Sequence, residues 1–255
     1  MKADMKKPVV DYGSLRLRRL NEPQYAHIRL LAGWLVYFAL YFLTENLIPV
    51  SRCHVIHSAL DDLIPFHEGF LILYCYWYVL LVGSLLYFIL YDIPAFKQLQ
   101  VYIMMTQAMA MLAYIVYPSV QLLRPESFAR DNVLTRLMGL IYAFDTPTGV
   151  CPSLHVAYSV GIASVWCRRA ETPKAWKAGV VVSAVLISIS TTFVKQHSAV
   201  DVFAALPVCA VCEVVLYGHT PGRLAGRLRR YLSEGPRSAR GADDARTARI
   251  ETARG

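Results

Sequence analysis

Long apolar segments separated by short polar ones dominate the chain between residues 28 and 217. A bilayer core of about 30 Å is crossed by about 20 apolar residues of helix. Six segments reach or approach that length, and we expect each to form a transmembrane helix. They are 28–50, 66–91, 99–117, 152–167, 176–194 and 198–217. The pattern predicts an all-α fold, a polytopic membrane bundle of about six transmembrane helices.

Two further stretches, 55–65 and 132–144, mix apolar residues with charged ones and are too short to span. Such amphipathic segments are typical of short helices that lie in the membrane interface. The chain then divides into a basic N-terminal tail (1–27), a membrane domain (28–217) and a C-terminal tail (218–255). That last tail is rich in Arg, Ala and Gly, which predicts disorder.

The composition supports a membrane protein and argues against a soluble one. Apolar residues make up 56% and charged residues 17% of the chain, against about 45–50% and 25% in soluble domains. The net charge of +8 is not read as a nucleic-acid signal, because the basic residues lie in tails and short loops. The two tails and alternate loops carry 21 of the 26 Lys and Arg. The positive-inside rule therefore predicts a multi-pass cell-membrane protein with both termini in the cytoplasm.

Ionisable residues gather at the predicted extracytoplasmic ends of the later segments. Arg124 follows the third segment, His155 begins the fourth, and Lys195, His197 and Asp201 lie between the fifth and sixth. Such groups cost about 2.5–3.5 kcal/mol each near the membrane centre, so their grouping at one surface is informative. We expect the active site on the extracytoplasmic face.

His197 and Asp201 are four residues apart, which places them one turn apart on a helix. The carboxylate can fix the imidazole tautomer and leave His197 to act as a nucleophile or base. His155 follows Pro152 and Ser153, residues suited to a helix start, where it could protonate a leaving oxygen. The alternatives are an incidental helical pair and a polar residue at the water boundary.

Arg124 and Lys195 could bind phosphate oxygens, although each could instead snorkel to the interface. Taken together, two cations, two histidines and one aspartate predict phosphoryl transfer through a phosphohistidine. Because the protein itself supplies the positive charge, we expect no metal and no other cofactor.

These residues resemble the motifs of the type 2 phosphatidic acid phosphatase superfamily, K-x6-R-P, P-S-G-H and S-R-x5-H-x3-D. The matching positions are Arg124-Pro125, Pro152-Ser153-Leu154-His155, and Ser190 with His197 and Asp201. The resemblance covers residues 30 to 217 approximately and implies a six-helix core.

The resemblance implies roles for individual residues. His197 would be the nucleophile, Asp201 its orienting partner, and His155 the general acid and then base. Arg124 and Ser153 would contact the phosphate.

The chain departs from the family pattern at three positions. Leu154 replaces a glycine, Tyr117 stands where the first motif has Lys, and Thr191 where the third has Arg. We hypothesise that Lys195 replaces one of the missing cations. The P-S-L-H and K-Q-H-x3-D forms look more like the inositol phosphoceramide synthase-like branch, whose members include transferases.

The leading interpretation is a lipid-phosphate phosphatase acting on a phosphatidic acid- or prenyl diphosphate-like lipid within the bilayer. The alternative is a headgroup phosphotransferase that uses an alcohol acceptor. A transporter is disfavoured because the polar cluster lies at one surface and no repeat is present. A catalytically silent member would explain the missing cations, whereas the intact His155, His197 and Asp201 argue against it. The oligomeric state is left open.

Overall fold

The computed structural model describes residues 7–218 and 223–235. Of these described residues 71% are helical, which confirms the all-α prediction. Nine α-helices and two short strands occur in the described residues. The helices are α1 (Ala32–Leu47), α2 (Ala59–Leu63), α3 (Leu71–Tyr91), α4 (Ile93–Val116), α5 (Val133–Phe144), α6 (Leu154–Arg168), α7 (Lys174–Phe193), α8 (Ala199–Tyr217) and α9 (Arg223–Ser233). The strands are β1 (His54–Val55) and β2 (Ser119–Val120), and they pair in parallel.

Five helical segments in the described residues are long and apolar enough to cross a membrane, as expected of a membrane protein. They contain α1, α3, α4, α7 and α8. The first and second begin with 3-10 turns, at Pro23 and Glu68.

The fourth of the six predicted spans forms a helix that is shorter than a membrane span. This helix, α6, has 15 residues, and it contacts α3, α4, α7 and α8. Most of its apolar side chains are therefore covered by protein rather than lipid. Gly161 lets α6 pack closely against α4, because a Cβ at this position would lie only 2.5 Å from the Tyr102 ring of α4.

Both predicted amphipathic stretches form short helices, α2 and α5. Each begins with a capping box. In this motif the side chain of the N-cap residue and the side chain three residues later each accept a hydrogen bond from the backbone amide of the other residue. Ser58 and Asp61 form the box of α2, and Asn132 and Thr135 form that of α5.

Helix α4 begins at Ile93 rather than at residue 99. Asp92 caps it by accepting a hydrogen bond from the amide of Ala95 (3.0 Å), and Pro94 suits the first turn. Lys97, which lies between the predicted segments 66–91 and 99–117, is consequently inside the helix and buried.

The prediction of a disordered C-terminal tail is wrong for residues 223–233, which form α9. This helix packs against α4 and α8, and its Leu232 is buried. An amphipathic sequence that buries one apolar edge gains enough to offset its ordering entropy. Residues 219–222 and 236–255 lie outside the described residues, as do residues 1–6 of the N-terminal tail.

Three connecting segments pair at one end of the bundle and fix the start of α6. The amide of His54 donates to the carbonyl of Pro118 (2.8 Å), and the amide of Gly149 donates to that of Ser119 (2.9 Å). Gly149 has a φ of 60°, a left-handed conformation that favours glycine. The loop before α6 is thereby tied to β2.

Candidate active site

His197 and Asp201 form a buried pair at the start of α8. His197 Nδ1 lies 3.2 Å from Asp201 Oδ2, and the same carboxylate oxygen accepts the amide of Ser198 (2.9 Å). Ser198 and Asp201 are the two members of the capping box that begins α8. The capping box therefore fixes the position of the Asp201 carboxylate, which in turn orients the His197 imidazole. Nε2 is the ring nitrogen that remains free to react with a substrate.

The structure brings His155 next to this pair, as the sequence predicts. The ring centroids of His155 and His197 are 5.7 Å apart. The His155 ring stacks on Tyr74, with ring centroids 4.6 Å apart, and lies tilted against Trp77, with centroids 4.2 Å apart. Its Nε2 is buried and has no hydrogen-bond partner in the part of the chain that is described. A buried polar atom without a partner is expensive, and a substrate oxygen in the adjacent cavity would satisfy it.

Ser153 positions α6 instead of facing the cavity. Its Oγ accepts from the amide of Val156 (3.5 Å), and its own amide donates to the carbonyl of Asp201 (3.1 Å). The side chain is fully buried and is not among the cavity-lining residues. It joins the starts of α6 and α8, which carry the two histidines.

Arg124 lies behind the cavity wall and already has several acceptors. Nη1 donates to the carbonyls of Tyr142 (3.2 Å) and Asp145 (2.7 Å). Nη2 donates to Gln196 Oε1 (2.7 Å) and to the carbonyl of Thr146. Arg124 does not line the cavity, although Asp145, Thr146 and Gln196 do. Its positive charge therefore acts on the cavity through these neighbours.

Lys195 points away from the cavity, contrary to the hypothesis that it replaces a motif cation. Its Nζ donates to the carbonyl oxygens of Asp61 (2.9 Å) and Ile64 (2.5 Å). Burial lowers the pKa of Lys195, and the nearby charges of Asp61 and Asp62 raise it. Its φ of 52° is uncommon for a residue other than glycine. The amine thus fastens the end of α2 to the turn before α8.

The histidines open into a cavity of about 890 Å³. Helices α1, α3, α5 and α6 supply most of its wall, which is largely aromatic and aliphatic. The polar lining residues are Asp145, Thr146, Thr148, His155, Gln196 and His197. Among the described residues that line it there is neither Lys nor Arg. Its volume is within the range of small-molecule binding pockets.

Sequence reasoning missed two carboxylates that shape this site. Asp61 is buried and accepts from Ser198 Oγ (2.6 Å) and the amide of Ala199 (2.8 Å). Burial raises the pKa of Asp61, but hydrogen bonds from Ser198, Ala199 and Ser58 outweigh it and leave that pKa below the ordinary value. Asp145, directly after α5, lines the cavity. The S-x-x-D pattern at Ser58 marks Asp61 as a helix cap, whereas no local pattern marks Asp145.

Comparisons of the chain with protein-family models, with curated proteins and with solved structures give no match.

Proposed function

We propose that this protein is a membrane enzyme that transfers the phosphoryl group of a lipid through a phosphohistidine on His197. Its leading form is a lipid-phosphate phosphatase acting on a phosphatidic acid- or prenyl diphosphate-like lipid. The observation that carries the proposal is the pair of histidines 5.7 Å apart. Both line one cavity, and Asp201 orients one of them.

In the first step His197 Nε2 attacks phosphorus. The bond from phosphorus to the lipid oxygen breaks, and that oxygen takes a proton from His155. The rings of Tyr74 and Trp77 pack against His155 and hold it beside that oxygen. Asp201 stabilises the positive charge that develops on His197.

In the second step neutral His155 takes a proton from the acceptor as its oxygen attacks phosphorus. The nitrogen–phosphorus bond breaks, and both histidines return to their starting states. Helices α6 and α8 begin at Leu154 and Ala199, so the positive ends of two helix dipoles meet at the reacting phosphate. Arg124 adds a full positive charge behind the wall.

The placement in the membrane follows from the same proposal. We propose that the cavity lies at the extracytoplasmic end of the bundle and that both termini are cytoplasmic, as the charge distribution favours. Helix α5 lines it with Leu137, Leu140 and Phe144, and all three are also exposed. An apolar helix at the rim would let a lipid enter sideways from the outer leaflet.

A second candidate, a headgroup phosphotransferase with an alcohol acceptor, is favoured by the charge of the cavity. Asp145 lines it, and neither Lys nor Arg is among its described lining residues. A phosphomonoester carries up to two negative charges, and Asp145 would repel it more than a singly charged phosphodiester. The histidine chemistry is the same for both candidates.

The test is turnover by purified protein in detergent with EDTA, using phosphatidic acid and undecaprenyl diphosphate, each with and without inositol. His197→Ala is compared with His57→Ala, a control on a partly exposed histidine that bonds Asp62. Phosphate release that His197→Ala alone abolishes supports the phosphatase. A new lipid or inositol product with little free phosphate supports the transferase. Turnover that survives His197→Ala would overturn both.

A further inference from the structure

Asp145 gives the candidate active site a negative charge that phosphate chemistry alone does not require. Its side chain is 44% exposed and lines the cavity together with His197. Burial raises the pKa of Asp145, and the charges of Arg124 and His197 oppose that rise. A carboxylate held beside a phosphate site needs a cation to offset its repulsion.

The local cation does not fully provide that offset. Arg124 Nη2 lies 3.9 Å from Asp145 Oδ2, but its N–H groups donate to three backbone carbonyls and to Gln196. Glu45 adds a second negative charge nearby, and it accepts a hydrogen bond from the cavity-lining Thr146. Two carboxylates and one guanidinium thus lie on this side of the cavity, which leaves it with a net negative charge.

Aromatic rings surround the same space. Those that line the cavity are Trp34, Tyr37, Phe38, Tyr41, Tyr74, Trp77, Tyr78, Tyr114, Phe144 and Tyr158. Asp145 lines the same cavity, so the carboxylate and the rings share one region. Aromatic rings combined with a carboxylate are the usual receptor for an alkylammonium group.

We propose that the cavity binds the alkylammonium group of a zwitterionic phosphodiester lipid, such as a phosphocholine or phosphoethanolamine lipid, beside Asp145. The phosphate of the same headgroup then lies toward His155 and His197. This inference rests on the proposed function, because it assumes that phosphorus reacts at His197. The volume of about 890 Å³ accommodates such a headgroup.

The reaction balances for this substrate. His197 Nε2 bonds to phosphorus, the bond to the diacylglycerol oxygen breaks, and that oxygen takes the proton of His155. The ammonium-bearing headgroup remains on His197 as a phosphoramidate. An acceptor hydroxyl then gives its proton to His155 and displaces the nitrogen, which yields a new phosphodiester or, with water, the free headgroup phosphate.

The first experiment measures headgroup selectivity of the full chain in detergent with EDTA. Phosphatidylcholine, phosphatidylethanolamine, phosphatidylglycerol and phosphatidic acid with the same acyl chains are compared. We expect phosphatidylcholine or phosphatidylethanolamine to react at least about tenfold faster than phosphatidylglycerol, the size of a desolvated cation–aromatic contact. Equal rates, or faster reaction of phosphatidylglycerol or phosphatidic acid, would overturn the inference. If phosphatidylglycerol or phosphatidic acid forms a phosphohistidine that is absent in His197→Ala, the proposed function is still supported although the inference fails.

Asp145→Asn tests the carboxylate itself. We expect this variant to lose most of the preference for the zwitterionic lipid, mainly through a higher KM. Asp131→Asn, which alters an exposed ion pair with Arg136, should keep the preference. An unchanged preference in Asp145→Asn would refute the role of this residue.

A binding measurement keeps the inference testable if Asp145→Asn fails to fold. Trp34 and Trp77 line the cavity, so their fluorescence in the unmutated protein should respond to tetramethylammonium chloride. The neutral isostere 3,3-dimethylbutanol and sodium chloride are the matched probes. Saturable binding of tetramethylammonium at least about tenfold tighter than the alcohol supports the inference, and equal responses contradict it.

Discussion

Asp61 of α2 binds the first residues of α8, including Ser198, although the two helices are more than 130 residues apart in the sequence. Its carboxylate accepts from Ser198 Oγ at 2.6 Å and from the amide of Ala199 at 2.8 Å. Asp201, in the first turn of the same helix, orients His197. A residue on the short helix α2 therefore helps to set the position of the proposed nucleophile.

Asp61→Asn should destabilise the protein by about 1.5–3 kcal/mol, the usual cost of losing hydrogen bonds to a buried charge. The amide would also present an N–H group to backbone and hydroxyl donors. Thermal unfolding in detergent measures the loss. The neighbouring Asp62→Asn is the control, because Asp62 is 67% exposed and should change stability by less than about 0.5 kcal/mol. Equal effects of the two substitutions would contradict the capping role.

The acid sensitivity of folding should depend on Asp61. Its pKa is lowered in the folded state, so its contribution to stability is complete above the unfolded-state value of about 3.9. That contribution is lost as the pH falls from there through the lowered pKa. Unfolding between pH 5 and 2 should therefore show a shallower loss of stability in Asp61→Asn than in the unmutated protein. Parallel curves would mean that Asp61 titrates normally.

The motif residues were predictable because they follow local rules. The spacing of His197 and Asp201 fixes one helical turn, and Pro152-Ser153 marks the start of α6. The distance between His155 and His197 follows from topology, since both sit at helix starts on one end of the bundle. Local sequence therefore located the two histidines and the carboxylate.

Lys195 and Asp145 were not predictable in this way, because tertiary contacts decide where their side chains go. Lys195 is next to the motif in sequence, yet two carbonyls at the end of α2 hold its amine. Asp145 follows an amphipathic helix, and only the position of α5 along the cavity wall brings it to the site. The same is true of Lys97, whose acceptors are more than 130 residues away.

Lys195→Met should lower stability without a specific effect on substrate binding. Two buried carbonyls lose a charged donor, which costs about 1–3 kcal/mol. KM for the lipid should stay within about twofold for the folded fraction. Lys174→Met, on an exposed residue, is the control. A large rise in KM with unchanged stability would contradict this prediction and indicate that Lys195 binds the phosphate.

His155→Gln should slow turnover by about 10²–10⁴-fold, the range for loss of a general acid and base. His197 would still be present, so labelled phosphohistidine should form slowly on it and also decay slowly. His197→Ala should give no acid-labile label at all. Rapid-quench labelling with lipid carrying ³²P separates the two variants. Normal labelling and decay in His155→Gln would remove His155 from the mechanism.

Lys97→Met should release α9 from the bundle. The Lys97 amine donates to the carbonyls of Tyr231 (3.1 Å) and Glu234 (3.0 Å) at the end of α9, and it lies 4.2 Å from the Tyr231 ring. A cation at a helix C-terminus is favourable, and losing these bonds should cost about 1–2 kcal/mol. Because α9 contains arginines, limited trypsin digestion should cleave it about 5–30-fold faster. Lys174→Met should be cleaved at the unmutated rate, and equal cleavage of both variants would show that Lys97 does not hold the helix.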